Sequence, residues 1–170
     1  MKTKIGKFNY LFIALLFLLI VYLLICLIRW LGYGFSYQAS MSMPKGLYFV
    51  MPAKQLKRDD IVIFHPPRVA QEFLAKHPWG PPNNVLMKVV MGVPGDKVCK
   101  REHGVWINGQ YIAPVFSEYA PGKALLNLAF CEILPAKHYL LMSTHVRRSF
   151  DGRYFGPVTK AEIIGKAIKV

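Results

Sequence analysis

Ser40 and Ser42 lie two residues apart in the stretch SMSMPKGLY, residues 40–48, where each serine is followed by a methionine. A serine hydroxyl becomes a useful nucleophile when a neighbouring base takes its proton. Pro44 ends the run, because it lacks the backbone N–H that a helix needs. The stretch therefore offers two candidate nucleophiles, and its residues alone leave the choice between them open.

Lys88 is a candidate base, because it interrupts the apolar run VLMKVVM at residues 85–91. A lysine in a strand ordinarily lies on an exposed face or guards an edge. If the lysine is buried instead, desolvation lowers its pKa. A lysine that is neutral near pH 7 can act as a general base toward a serine hydroxyl. The sequence leaves both readings of Lys88 open.

A third set of chemistry-bearing side chains, Ser149, Asp151 and Arg153, alternates in the segment SFDGRYFGP at residues 149–157. On an extended segment alternate side chains share one side. We therefore expect Asp151 and Arg153 to pair and brace a loop. The alternative is an ordinary turn with a surface ion pair, which contributes little stability.

An apolar segment without charge, proline or glycine, residues 10–28, precedes these residues. Nineteen residues of helix span roughly 28 Å, which is enough to cross a bilayer core. A cleaved signal peptide is the alternative, but it needs a shorter apolar core and a small-residue cleavage site close behind. The leading lysines, Lys2, Lys4 and Lys7, favour a cytoplasmic N-terminus. We predict residues 1–30 to be a cytoplasmic terminus with a retained transmembrane anchor, and residues 31–170 to be an extracytoplasmic domain.

The outer domain is basic. Of the 22 Lys and Arg residues, 19 remain after the three leading lysines, against 9 acidic residues. These basic residues are scattered, and no dense stripe with interleaved aromatics is present, so we expect no nucleic-acid partner. Attraction to anionic lipid or to an acidic partner suits an anchored domain, and plain solubility explains the charge equally well.

Two cysteines, Cys99 and Cys131, lie in the outer domain, while Cys26 lies in the apolar segment. Cysteines in an oxidising compartment often pair, so we predict a Cys99–Cys131 disulfide. Their spacing is not that of metal ligands, and we expect neither a metal site nor a cofactor. The five histidines occur in no recognisable motif, so a Ser-His-Asp triad ranks below a Ser–Lys pair.

The outer domain reads as mostly β. Strands are predicted at residues 47–51, 60–64, 85–91, 138–143 and 163–170, and a hairpin at 105–112. The hairpin prediction depends on Asn108-Gly109, since both central residues of such a turn need positive φ. Residues 65–84 are rich in proline and glycine and are predicted to be an insertion with a short helix at 69–76.

The order of these motifs resembles a known family. The anchor is followed by Ser-x-Pro-x-Gly-Leu-Tyr at 42–48, Met-Lys-x-Val at 87–90, Pro-Gly-Asp at 94–96 and Ser-Phe-Asp-x-Arg-Tyr-Phe-Gly-Pro at 149–157. This pattern is similar to the type I signal peptidases that use a Ser–Lys dyad, and more specifically to their conjugative-transfer branch, the TraF-type pilin maturation peptidases. The resemblance covers nearly the whole chain. It implies a signal-peptidase-like β domain with insertions behind one transmembrane helix.

The resemblance also implies which serine is the nucleophile. In general signal peptidases that serine stands three residues before the proline, where this chain has Met41. In the conjugative branch it stands two before, which is Ser42. Ser40 then matches a hydroxyl that helps to bind the oxyanion, and Lys88 matches the general base.

The segment at 149–157 matches the supporting residues of the family. Ser149 matches the serine that orients the lysine, and Asp151 and Arg153 match the pair that braces the active-site loop. The chain departs from the general enzymes in carrying STHVRR at residues 143–148, where they carry a Gly-Asp-Asn-Arg segment. The conjugative branch shares that departure.

The implied function is a membrane-anchored serine endopeptidase of conjugative transfer and type IV secretion that cleaves a propilin, by hydrolysis or with cyclisation. The alternative is a general signal peptidase acting on exported preproteins, and the non-enzymatic alternative is an inert assembly module of a secretion machine. Expected partners are the propilin or preprotein, membrane lipid and other secretion proteins. The expected location is the inner membrane, as a single-pass protein with the catalytic domain in the periplasm.

Overall fold

One long apolar helix precedes a domain built mostly of strands. The computed structural model describes residues 4–81, 83–101 and 103–170, with side chains from Tyr10 onward. Lys2 of the basic leader lies outside the described residues, as do the side chains of Lys4 and Lys7.

The elements follow one another in this order: α1 (Lys4–Trp30), β1 (Gly34–Gln38), β2 (Gly46–Met51), β3 (Ile61–Phe64), α2 (Arg68–Ala75), β4 (Leu86–Gly92), β5 (Lys97–Arg101), β6 (Gly104–Ile107), β7 (Gln110–Pro114), β8 (Glu118–Ala120), β9 (Lys123–Ala124), β10 (Cys131–Ile133), β11 (His138–Met142), α3 (Gly152–Phe155), β12 (Val158–Thr159) and β13 (Ile163–Lys169).

The helix α1 has the length and composition of a membrane span. Its stretch Tyr10–Trp30 has 21 residues with a mean hydropathy of 3.4, and the protein covers none of it. Gly32, with φ of 83°, ends the helix. Its N–H donates to the Arg29 carbonyl and the Tyr33 N–H donates to the Ile28 carbonyl, the pattern in which a left-handed glycine satisfies the last carbonyls of a helix. The structure is consistent with a single-pass anchor.

Seven strands form the main sheet, in the order β1-β2-β13-β3-β4-β11-β12. The strand β4 lies inside this sheet, between β3 and β11, and its residue Lys88 pairs in register with Val62. Val62, Phe64, Val90 and Leu141 belong to one buried cluster in this part of the sheet. Lys88 therefore lies on a central strand rather than at an exposed edge.

Four strands form a second sheet, in the order β10-β5-β6-β7. Asn108 and Gly109 join β6 to β7 with φ of 51° and 83°, which confirms the predicted hairpin. Cys131 lies directly opposite Cys99 in the β10–β5 register, and the two are joined in a disulfide across 32 positions of sequence.

Asp96 ties the turn between β4 and β5 to the neighbouring loops. Its carboxylate accepts hydrogen bonds from the Val93 N–H at 2.7 Å and from Asn108 Nδ2 at 2.8 Å. Arg58 donates to both of its oxygens, at 3.0 and 2.8 Å. The Pro-Gly-Asp turn is thus an anchoring point for the second sheet.

The mostly β prediction is confirmed. The strands predicted at 47–51, 60–64, 85–91, 138–143 and 163–170 correspond to β2, β3, β4, β11 and β13, and the short helix of the insertion is α2. Strands β1 and β5 and the shorter strands β8, β9, β10 and β12 were not predicted. The division of the chain into an anchor and a catalytic domain stays a prediction.

Candidate active site

Ser42 and Lys88 meet although 46 residues separate them. Lys88 Nζ lies 2.9 Å from Ser42 Oγ and donates a hydrogen bond to it. Lys88 comes from β4 in the centre of the main sheet, and Ser42 comes from the loop between β1 and β2. A serine hydroxyl within hydrogen-bond reach of an amine has the geometry of a nucleophile beside a base.

The loop that carries Ser42 is fixed by its apolar neighbours. Met43 is buried in a cluster with Ile63, Met87 and Val89. The Tyr48 hydroxyl donates to the Pro44 carbonyl at 2.7 Å. Met43 thus anchors the 40–48 loop in the core. The adjacent Ser42 is left facing Lys88.

Burial governs the charge of Lys88. Its side chain is only 2% exposed, and this desolvation lowers its pKa to about 8. The Asp151 carboxylate acts in the opposite direction and raises the pKa, while the Arg153 guanidinium lowers it. Loss of hydration is the largest of these effects, so a substantial fraction of Lys88 is neutral near pH 8.

Ser40 lies beside Ser42, with 3.0 Å between the two hydroxyl oxygens. Gln38 Nε2 donates to Ser40 Oγ at 2.7 Å and to the Ser40 carbonyl at 3.1 Å. Because Gln38 already supplies a proton to Ser40 Oγ, the Ser40 hydroxyl proton is free to point toward Ser42. The sequence gives no indication that Gln38 contacts Ser40, because this contact depends on where β1 ends.

Ser143 holds the carbonyl of Ser42, and it was missed as a site residue. Its hydroxyl donates to the Ser42 carbonyl and accepts from the N–H groups of His145 and Val146, at 3.2 and 3.3 Å. Its own N–H donates to Asp151 Oδ2 at 2.9 Å. Ser143 begins the STHVRR segment, whose unusual composition was the available signal.

Asp151 and Arg153 form a fully buried ion pair, with 0% and 1% of their side chains exposed. Arg153 Nε lies 2.8 Å from Asp151 Oδ1, and Nη2 lies 3.2 Å from Oδ2. The remaining guanidinium donors reach the carbonyls of Ser143, Arg147 and Pro114. The pair therefore joins three separate backbone positions, Ser143, Arg147 and Pro114, and the surface-turn alternative does not describe it.

The expected extended arrangement of Ser149, Asp151 and Arg153 is wrong. Helix α3 begins at Gly152, and Asp151 is its N-cap, accepting from the Arg153 N–H at 3.2 Å. A carboxylate at this position satisfies an N–H that has no partner within the helix. Asp151 and Arg153 therefore meet around one helical turn rather than along one side of a strand.

Ser149 does not make the bond that the resemblance implies. Its side chain is buried at 3% exposure, but its Oγ has no hydrogen-bond partner among the described residues. The hydrogen bond of Lys88 Nζ goes to Ser42 instead. Of the predicted supporting residues, the structure thus brings Ser40, Asp151 and Arg153 into the network and leaves Ser149 outside it.

A cavity of about 460 Å³, the catalytic cavity, opens beside Ser42 and Lys88 and is lined also by the end of β1, the start of β4 and Trp79. A cavity of about 880 Å³ adjoins it, since Ser36, Ile63 and Asn83 line both. This larger cavity extends to Ile25 and Ile28 of α1. The apolar helix and the Ser42–Lys88 pair thus border neighbouring cavities.

No group of three or more His, Cys, Asp or Glu side chains that could hold a metal ion occurs in the described part of the chain. The chemistry available at the site is that of a hydroxyl, an amine and backbone dipoles. Such a set is suited to acyl transfer.

We expect Asp151→Asn to destabilise the fold by about 3–5 kcal/mol, because it leaves the buried Arg153 guanidinium without its charge partner. Glu72→Gln is the matched control, since the Arg68–Glu72 pair is a salt bridge with 92% and 59% of its side chains exposed. It should cost under about 0.5 kcal/mol. Chemical denaturation in detergent measures both. Equal stability of the two variants would contradict the bracing role.

Comparisons with known proteins identify the family of the chain. The family described as signal peptidase, peptidase S26, matches residues 8–170. The plasmid transfer protein TraF of Escherichia coli is 31% identical over 141 residues, covering 77% of this chain and 79% of TraF. Signal peptidase I V of Bacillus subtilis (strain 168) is 25% identical over 122 residues, covering 66% of this chain and 64% of that protein.

The chain spans about half to two thirds of the curated signal peptidases that it matches: 64% of the Bacillus protein and 46% of a probable signal peptidase I-2 from Synechocystis sp., to which it is 27% identical over 119 residues. A solved signal peptidase I from Enterococcus faecalis V583 has a TM-score of 0.39 and 24% identity, covering 66% of this chain and 97% of that one. The family rests on the sequence matches. Its predicted membership is confirmed: the chain belongs to the signal peptidase family, peptidase S26.

Proposed function

We propose that this protein is a membrane-anchored serine endopeptidase that works by acyl transfer, with Ser42 as nucleophile and Lys88 as general base. The observation that carries the proposal is the 2.9 Å contact between Ser42 Oγ and the amine of a lysine that is 2% exposed. A desolvated amine with a pKa of about 8 can act as a base at neutral pH. The non-enzymatic alternative, an inert assembly module, has no use for such a pair.

In the proposed reaction, neutral Lys88 takes the proton of Ser42 Oγ as the oxygen attacks a substrate carbonyl. The oxyanion is stabilised by the Ser42 backbone N–H and by the Ser40 hydroxyl, whose oxygen lies 3.0 Å from Ser42 Oγ. The protonated lysine then gives its proton to the leaving amine, and an acyl-enzyme remains. Water or an amine attacks that ester while Lys88 takes its proton, and Lys88 then returns the proton to Ser42 Oγ as the acyl group leaves.

A supporting network of hydrogen bonds holds Ser42 in position beside Lys88. Ser143 connects the Ser42 carbonyl to Asp151, and Asp151 is held by Arg153. Hydrogen bonds from such supporting residues hold catalytic side chains to within the small displacements that acyl transfer tolerates. The family resemblance gives Ser149 an orienting role toward Lys88. The contacts described above support Ser143 and the Asp151–Arg153 pair more directly.

For the substrate we propose a propilin of conjugative transfer, cleaved after a small residue. The 31% identity to the plasmid transfer protein TraF over 79% of its length supports this choice. The alternative is removal of signal peptides from exported preproteins, which the likeness to signal peptidases supports. Hydrolysis and cyclisation remain alternatives for the last step, and the intact mass of the product separates them, because cyclisation leaves it one water lighter.

For the location we propose the inner membrane, with a cytoplasmic N-terminus and a periplasmic domain that works with other secretion proteins. The Cys99–Cys131 disulfide supports an oxidising compartment. Protease added to spheroplasts should then digest the domain that follows α1. Digestion only after lysis would place it in the cytoplasm, and a soluble periplasmic protein and a cytoplasmic one serve as the two controls.

We expect Ser42→Ala and Lys88→Met each to reduce processing by about 10⁴-fold or more, and the double variant to be no worse, since residues that act as a unit are not additive. Methionine fills the space of the lysine and keeps the melting temperature close to that of the wild type. Ser40→Ala should lose about 10²–10³-fold, the effect of one oxyanion donor. Gel or mass analysis of prepilin and preprotein processing measures these losses. Processing that survives in Ser42→Ala but not in Ser40→Ala would reassign the nucleophile.

We expect kcat/KM to rise about tenfold per pH unit below pH 8 and to level off above it. Burial lowers the pKa of Lys88 to about 8, and only the neutral amine accepts a proton, so activity is lost as the pH falls. An ordinary lysine would move this transition above pH 10. Lys88→Arg should be inactive at every pH, because arginine does not deprotonate. A flat profile between pH 6 and 9 would exclude Lys88 as the base.

A further inference from the structure

A third cavity, of about 260 Å³, lies beside the proposed active site and has no role in the mechanism above. We call it the aromatic cavity. Five of its lining side chains are aromatic: Trp79, Phe116, Tyr119, Phe150 and Tyr154. Its volume is below that of most drug-sized ligand sites, so it fits a single side chain rather than a folded partner.

The aromatic cavity adjoins the catalytic cavity. Trp79 lines both of them, so its indole separates the two spaces. Ser149 also lines the aromatic cavity, and it stands two residues before Asp151, whose charge acts on Lys88. A polypeptide bound at Ser42 therefore has this cavity within reach of a residue near the bond that is cut.

The walls are arranged as an aromatic-binding site. The ring centroids of Trp79 lie 5.7 Å from Tyr119 and 5.6 Å from Phe150. Phe150 stacks on Tyr154 at 5.7 Å. Aromatic pairs are favourable at these separations, and the ring faces that line the cavity offer the same contacts to a guest ring. Glu118 and Arg148, both exposed, also line it, so their opposite charges give the opening no preference for a charged guest.

Ser149 lines the same space, and its hydroxyl oxygen is buried. Ser149 Oγ has no hydrogen-bond partner among the described residues, although its side chain is buried. Buried hydroxyls are normally hydrogen-bonded, and one without a partner costs free energy. The hydroxyl is itself inaccessible, so the contacts open to a guest are those of the aromatic rings.

One wall of the cavity is held by the disulfide. Phe116, Tyr119 and Leu125 belong to the segment between Cys99 and Cys131. The opposite wall includes Trp79, and His77 beside it packs its ring edge-on against Tyr119 at 5.1 Å. The disulfide and the β5–β10 pairing thus hold the outer wall near the insertion.

We infer that the aromatic cavity is a specificity subsite that binds an aromatic side chain of the polypeptide substrate. The inference deepens the proposed peptidase function and rests on it for the identity of the ligand. The occupant is a residue of the substrate, because the aromatic cavity adjoins the catalytic cavity at Trp79.

The test uses the full chain in detergent micelles and internally quenched ten-residue peptides with Ala on the acyl side of the cleaved bond. Each other position is varied in turn among Ala, Leu, Phe, Tyr and Trp. At one position we expect an aromatic residue to raise kcat/KM by about 10- to 100-fold over Ala. Leu125→Trp fills the cavity and should abolish that preference, measured as the ratio of kcat/KM for the aromatic peptide to kcat/KM for the all-Ala peptide.

Leu128→Trp is the matched control, because Leu128 is exposed on the same segment and does not line the cavity. It should keep the wild-type preference. Phe116→Ala, which removes a wall instead of filling the space, is the second variant in case Leu125→Trp fails to fold, and it should weaken the preference severalfold. A preference that survives both variants, or no aromatic preference at any position, would overturn the inference.

Peptide binding to an inactive variant tests the subsite independently of the peptidase activity. Fluorescence anisotropy of labelled Tyr- and Ala-containing peptides, measured on Ser42→Ala with and without Leu125→Trp, does not require cleavage. Tighter binding of the Tyr peptide that Leu125→Trp removes would support the subsite even if the wild type cut no peptide. Equal binding of both peptides by Ser42→Ala, together with cleavage by the wild type, would refute the subsite and leave the peptidase proposal intact.

Discussion

The site depends on keeping one amine out of water. Lys88 lies on a central strand, and neighbours on both sides of β4 take the place of its hydration shell. A charged amine loses far more solvation free energy than a neutral one when it is buried. The fold thus biases Lys88 toward the form that can accept a proton, and Ser42 is the hydrogen-bonding partner that the sheet leaves beside it. An edge position for β4 would expose the amine and restore its ordinary pKa.

The Asp151–Arg153 pair makes the surroundings of Lys88 rigid without raising its pKa back to the ordinary value. A lone buried carboxylate would stabilise the charged amine and raise its pKa. Arg153 acts on Lys88 in the opposite direction, so the pair adds little net charge to its surroundings. Its hydrogen bonds to the carbonyls of Ser143, Arg147 and Pro114 join the ends of β11 and β7 to α3. The network can therefore be rigid while the pKa of Lys88 stays below its ordinary value.

The sequence predicted those elements whose signals are local. Apolar runs of strand length gave β2, β3, β4, β11 and β13, and Asn108-Gly109 gave the hairpin, because turn chemistry is set by the two residues themselves. The Ser42–Lys88 contact followed from a family pattern of spacing, not from any local rule. Ser143 and Gln38 were missed because their contacts depend on where strands end, and Ser143 reaches a carbonyl 101 residues away. The helical turn at Gly152 was read as extended because four residues are too few to show a helical period.

Under the proposed function, the three cavities relate the distance of a substrate residue from the membrane to the choice of the peptide bond that is cut. The largest extends to α1, the catalytic cavity follows it, and the aromatic cavity lies beyond Trp79. A substrate with its own apolar segment in the bilayer would enter from the side of α1. Holding it in the membrane raises its effective concentration at the site, as any tether does. The distance from membrane to Ser42 then limits which residues can reach the nucleophile, and a side-chain subsite beyond Trp79 selects among them. The distance of a residue from the membrane and the type of its side chain are independent criteria. A weak preference for each therefore combines into a narrow preference for the bond that is cut.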